Sequence, residues 1–138
     1  MNAGRRILFA DDDPGVQRAL KRIAELNGFE MVPVLSGADV YQAALAHAPD
    51  LIVLDIHFPD ADGRDVLSRL KADPRTTSIP VVVWSGRDPQ SDRRIALDLG
   101  AEDYVEKTDA QTLLRKIQRV LLRLYSERKA ALKAAEPR

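Results

Sequence analysis

Five short apolar runs, each followed by a stretch of helical period, constrain this chain more than any other feature. The runs are "RRILFA", "FEMVPVL", "DLIVLDI", "IPVVVWS" and "EDYVEK". After the first, Val16, Leu20, Ile23, Ala24 and Leu26 recur at helical spacing, and Asn27-Gly28 ends the pattern. Asp13 is placed to cap that helix, with Pro14 in the first turn, where no amide hydrogen is missed. Pro33 removes a ladder donor from the second run, which therefore suits an edge. A helix is expected over 36–48. The third and fourth runs are continuously apolar, the pattern of strands buried on both faces. Asp62, with Asp65 three residues on, starts a third helix that Asp73-Pro74 stops. A short helix over 91–99 ends at Gly100, and Asp109 opens a long closing one. Its stripe is Leu113, Leu114, Ile117, Val120, Leu121 and Leu124.

Alternating strand and helix with short connections predicts an α/β fold, a parallel sheet flanked by helices on both faces. Ligands in such sheets sit at the carboxyl ends of the strands. The residues there are Asp11 and Asp12 after the first strand, Asp55 after the third, Ser85 after the fourth and Lys107 after the fifth. Clustered carboxylate oxygens suit a hard divalent cation such as Mg²⁺. A carboxylate can also attack phosphorus and form an aspartyl phosphate. The metal, an ammonium and a hydroxyl would then hold the phosphoryl oxygens.

At this point the sequence closely resembles the receiver domains of two-component response regulators, single-domain and chemotaxis-receiver-like, over roughly residues 5 to 124. The resemblance rests on "ADDDP", "DLIVLDIHFPDADG", "VVVWSG" and "GAEDYVEKT", in that order. Thirty residues separate Asp55 from Ser85, and fifty-two separate it from Lys107, as in the family. It implies a doubly wound five-stranded sheet in the order 2-1-3-4-5. It implies that Asp55 accepts a phosphoryl group from a histidine of a sensor kinase or histidine phosphotransferase, making the chain a self-modifying switch and not a metabolic enzyme. Asp12, Asp55 and the backbone carbonyl of His57 would bind Mg²⁺ (or Mn²⁺), with Asp11 acting through a water. Lys107 would pair with the phosphoryl or with Asp55. The Ser85 hydroxyl would move to the phosphoryl, and the ring of Tyr104 would turn inward as it does. The surface that changes would be the fourth helix, fifth strand and fifth helix, which is also a candidate dimer face. Arg87 and His57, each two residues beyond a site residue, would modulate phosphate lifetime. The His57 side chain itself is expected at the solvent-facing rim. Where the family has Lys-Pro after the fifth strand, with a cis peptide, this chain has Lys107-Thr108, so a trans path is expected.

Each residue has a plainer alternative. Asp11 and Asp12 could be a solvated turn, Lys107 an ordinary snorkelling lysine, and His47 inert. Trp84 is expected in the core, pointing away from Ser85 because strand neighbours alternate. The whole could be a degenerate receiver that only docks, or the receiver piece of a larger hybrid kinase or regulator. A haloacid-dehalogenase-type phosphatase would need a threonine that "DDDPG" lacks. A flavodoxin-like cofactor module would place phosphate against three carboxylates.

Composition narrows the classes further. No cysteine is present, which excludes disulfides and thiolate metal sites and fits a reducing, cytoplasmic setting. No apolar run approaches membrane-spanning length, and no signal-peptide core follows "MNAGRR". Net charge is zero, but from Arg115 onward eight Lys/Arg face two Asp/Glu, so the body is acidic and the tail basic. Residues 1–124 are expected to form the receiver, and 125–138 a basic helical extension that could dock a partner or a second copy. No DNA-binding segment follows, so nucleic acid and membrane are not expected partners.

Overall fold

The computed structural model describes residues 4–86 and 89–136, so Arg87 lies outside the described residues. Five parallel strands form one sheet: β1 Arg6–Ala10, β2 Glu30–Val34, β3 Leu51–Leu54, β4 Val81–Ser85 and β5 Asp103–Glu106. Their order is β2-β1-β3-β4-β5, as expected. Pro33 falls on β2, the outermost strand on that side, where a missing donor costs least.

The helices are α1 Pro14–Leu26, α2 Val40–His47, α3 Gly63–Ala72, α4 Pro89–Asp98 and α5 Ala110–Ala134. A 3₁₀ turn, Gly37–Asp39, precedes α2, so the expected second helix divides into two pieces. Its first piece is held from outside. The carboxylate of Asp60 accepts from Ser36 Oγ and from the amides of Gly37 and Ala38. The fourth helix begins at Pro89, two residues earlier than its apolar pattern indicates, because proline suits a first turn.

Side-chain alternation along the strands divides the interior in two. Leu8, Ile52, Leu54, Val81, Val83 and Tyr104 pack beneath α2, α3 and α4. On the other face Phe9, Val53, Val82, Trp84 and Val105 meet Leu20 and Ala24 of α1 and Leu113, Ile117, Val120 and Leu121 of α5. Trp84 is therefore core, on the face opposite Ser85.

Burial along α5 stops near Leu121, with Leu124 half-covered. The helix has 25 residues, and its last turns carry exposed Tyr125 and Leu132 among Arg128, Lys129 and Lys133. No helix among the described residues is long and apolar enough to cross a membrane.

Candidate functional site

The ladder hydrogen bonds continue one residue past the ends of three strands. Asp11 N–H donates to Val34 O at 3.0 Å, Asp55 N–H to Ala10 O at 2.9 Å, and Lys107 N–H to Ser85 O at 2.9 Å. Asp11, Asp55 and Lys107 are thus fixed to the sheet by backbone, which explains why residues far apart in sequence share one rim.

Each following loop is closed locally. Asp13 caps α1 by accepting from the amides of Gly15 and Val16, and its own amide donates to Asp11 Oδ1 at 2.9 Å. Asp13 therefore belongs to the helix while orienting Asp11. After β3, the His57 amide donates to Asp55 Oδ1 at 3.0 Å. Asp62 caps α3 by accepting from the Arg64 amide. Gly63 N–H donates to Ile56 O at 3.0 Å. A Cβ on Gly63 would stand 2.2 Å from Ile56 Cα, so only glycine permits this closure.

The rim opens into a cleft of about 820 Å³ whose lining includes Asp12, Asp55, His57, Arg64 and Lys107. Asp11 and Asp55 are buried, while Asp12 is exposed at the mouth. One carboxylate oxygen from each of the three lies within 4.8 Å of the other two. Lys107 Nζ stands between the buried pair, 2.5 Å from Asp11 Oδ2 and 2.9 Å from Asp55 Oδ2. Burial pushes the Asp11 carboxyl above its ordinary value, and the Lys107 ammonium only partly offsets that. Burial alone would lower Lys107, but its two carboxylate partners outweigh it and hold the ammonium above the usual lysine value. Three clustered oxygen donors with a buried acid destabilised by its surroundings fit a hard divalent cation such as Mg²⁺ or Mn²⁺.

No cis peptide bond occurs among the described residues, and Lys107 reaches Asp55 without one. Ser85 is fully buried, and its hydroxyl donates to Asp92 Oδ2 at 3.2 Å. Tyr104 already lies inward, buried, with its hydroxyl donating to Ser85 O at 3.4 Å. The expectation for the His57 side chain needs correction. It does not simply face solvent, because its Nε2 lies 2.8 Å from Asp92 Oδ2. A carboxylate can only accept, so Nε2 carries the proton.

Two contributors were not anticipated. Asp92, an acid in the first turn of α4, is buried. Gln17 is buried too, and its Nε2 donates to the carbonyls of Phe9, Asp11 and Val34, tying α1 to both strands behind the site. Gln17 had a sequence signal, since it is a polar residue on the apolar stripe of α1. Asp92 had none.

The sequence model of the response regulator receiver domain matches residues 7–118. The transcriptional regulatory protein KdpE of Mycobacterium tuberculosis is 40% identical over 101 residues, 73% of this chain. That stretch is 43% of KdpE, so the chain matches less than half of that relative's length. The phosphorylated cyanobacterial phytochrome response regulator RcpA superposes with a TM-score of 0.71 at 32% identity, covering 83% of this chain and 89% of that one. The BeF3-activated N-terminal receiver domain of Klebsiella pneumoniae RstA gives 0.78 at 26% identity, over 85% of this chain and 98% of that one.

Proposed function

The chain belongs to the response regulator receiver domain family, and from that membership we propose that it is a Mg²⁺-dependent phosphoacceptor switch with Asp55 as the acceptor. The carrying observation is the ion pair of Lys107 with both Asp55 and Asp11 at the carboxyl rim of the sheet. Lys107 stands between Asp55 and Asp11, and an oxygen of Asp12 lies within 4.8 Å of both carboxylates, which supports the reading. The donor is a phosphohistidine of a sensor kinase or histidine phosphotransferase. An Asp55 carboxylate oxygen attacks phosphorus, the P–N bond breaks, and the imidazole leaves with the bonding pair.

Asp12, Asp55 and the His57 carbonyl would hold Mg²⁺, with Asp11 acting through a water. When bound, the cation neutralises charge on the transferring phosphoryl oxygens. Lys107 then exchanges one carboxylate partner for a phosphoryl oxygen, and Ser85 donates its hydroxyl proton to another. Tyr104 packs over the space Ser85 vacates. The face built by α4, β5 and α5 carries the change to a downstream protein, and Arg87 and His57 tune how long the acyl phosphate survives water. The phosphorylated state of RcpA and the activated state of RstA, each a structure similar to this one, support the reading. A switch of this kind would act in the cytoplasm, where a kinase phosphohistidine can reach Asp55.

Acetyl phosphate with Mg²⁺ tests this directly. Intact-mass analysis should show one added phosphoryl in the wild type and none in Asp55→Asn or with EDTA. Unlabelled wild type, or labelling that survives Asp55→Asn, refutes the assignment and favours a docking-only receiver.

A further inference from the structure

Three aspartates are buried among the described residues, and only two of them, Asp11 and Asp55, share Lys107. The third, Asp92, is 6% exposed and stands in the first turn of α4, bonded to Ser85 at the end of β4. Its Oδ2 joins three elements at one atom: Ser85 of β4 at 3.2 Å, His57 of the loop after β3 at 2.8 Å, and α4 itself. None of these contacts is needed to hold the fold's regular ladder. They involve the hydroxyl that the acceptor reading requires to move.

A serine hydroxyl has a single proton to donate. While that proton is directed at Asp92 it is withheld from any oxygen on Asp55. The geometry points to Asp92 as a positioning residue that holds the Ser85 hydroxyl in the unmodified state and couples its release to α4. This inference rests on Asp55 being the phosphoacceptor. When Ser85 turns to the phosphoryl, Asp92 loses a donor inside a site where water is scarce. A buried carboxylate short of a donor is costly, so the change favours moving the first turn of α4 toward solvent. His57 stays bound to Asp92 through one N–H, so the loop after β3 is drawn along with the helix. Movement of α4 then follows from the transfer of one proton's direction, with no large displacement needed at the acceptor.

The test is a ¹⁹F NMR titration of the full chain with beryllofluoride and Mg²⁺, reading the half-saturation from the bound fluorine signal. Asp92→Ala removes the competing acceptor and should lower half-saturation about tenfold, as expected for a hydrogen bond to a charged group. Asp92→Asn keeps a neutral, weaker acceptor in the same shape and should lower it about threefold. Both shifts should vanish in the Ser85→Ala background, which a merely structural role for Asp92 would not produce. Should Asp92→Ala fail to fold, Asp92→Asn decides. Half-saturation unchanged from wild type, or a shift that persists with Ser85→Ala, overturns the inference alone. A wild type with no bound fluorine signal overturns the acceptor assignment and this inference with it.

Discussion

Replacing Lys107 with methionine removes the ammonium that separates two buried carboxylates while keeping most of the side chain's length. In the metal-free protein Asp11 and Asp55 would then face each other with no compensating cation among the contacts described. Removing one partner from a buried ion pair typically costs 3–5 kcal/mol, roughly, because the remaining charge stays desolvated. Lys107 is 21% exposed and the rim opens to a cleft, so water recovers part of that cost. We expect a loss of about 2–3 kcal/mol, which for a domain of this size corresponds to a drop of roughly 10 °C in Tm. Thermal melts in EDTA and in saturating Mg²⁺ provide the assay. In Mg²⁺ the deficit should shrink by more than half, because the cation binds the variant's uncompensated carboxylates more tightly than the wild type's paired ones. Adding Asp55→Asn should recover part of the loss, since one of the two uncompensated charges is gone while Asp11 stays buried. The reasoning is refuted if Lys107→Met melts within about 2 °C of wild type in EDTA. It is refuted equally if Mg²⁺ raises both proteins by the same increment.

Three further outcomes can be stated briefly. Gly63→Ala drives a Cβ into the Ile56 backbone, which cannot move aside as a flexible side chain could; urea denaturation should show a loss of about 3 kcal/mol or more, and a loss under about 1 kcal/mol would contradict the contact. Asp13→Ala removes the α1 cap and should cost about 1 kcal/mol by the same measurement. Asp73 is held well below its ordinary value of 3.8 by Arg75 first and then by the Tyr41 hydroxyl. The unfolded chain therefore takes up the proton before the folded one does, so this group's contribution is complete above 3.8 and fades as pH falls toward the folded value. The stability gap between wild type and Asp73→Asn should be level near neutrality and close with acidification; a gap that widens instead would reverse the assignment.

The carboxyl rim was legible because four of the five apolar runs end abruptly in one of its residues, Asp11, Asp55, Ser85 or Lys107. "LIVLD" places a carboxylate where a buried strand stops, and the βα alternation then determines which strand ends meet. Asp13 was separable from Asp11 and Asp12 because Pro14 marks the next residue as a first turn. Asp92 was not legible for the opposite reason. An acid near a helix start ordinarily sits in solvent, favoured by the helix dipole, and nothing local distinguishes one that tertiary packing has buried. The bond that holds the His57 ring at the rim was missed for the same cause, since its partner lies thirty-five residues away on another element. The 3₁₀ turn before α2 depends on Asp60, twenty-two to twenty-four residues downstream, which no periodicity in that segment records. Tyr104 lies buried against Ser85, but periodicity carries no information about which way a ring points at a given moment.

Trp84 and Ser85 are adjacent in sequence yet belong to separate compartments. The indole is enclosed with α1 and α5, and the hydroxyl with Tyr104 and α4. The sheet acts as a partition between them, crossed at this point only by the strand itself. A change in indole emission on phosphorylation would therefore report tilt or shift of β4, because the indole does not touch the hydroxyl's compartment. If the emission responds, the partition works as a lever, and the projecting basic turns of α5 receive the signal through it. If the indole stays quiet while α4 rearranges, the partition insulates, and α5 is a bystander to the chemistry on the other side.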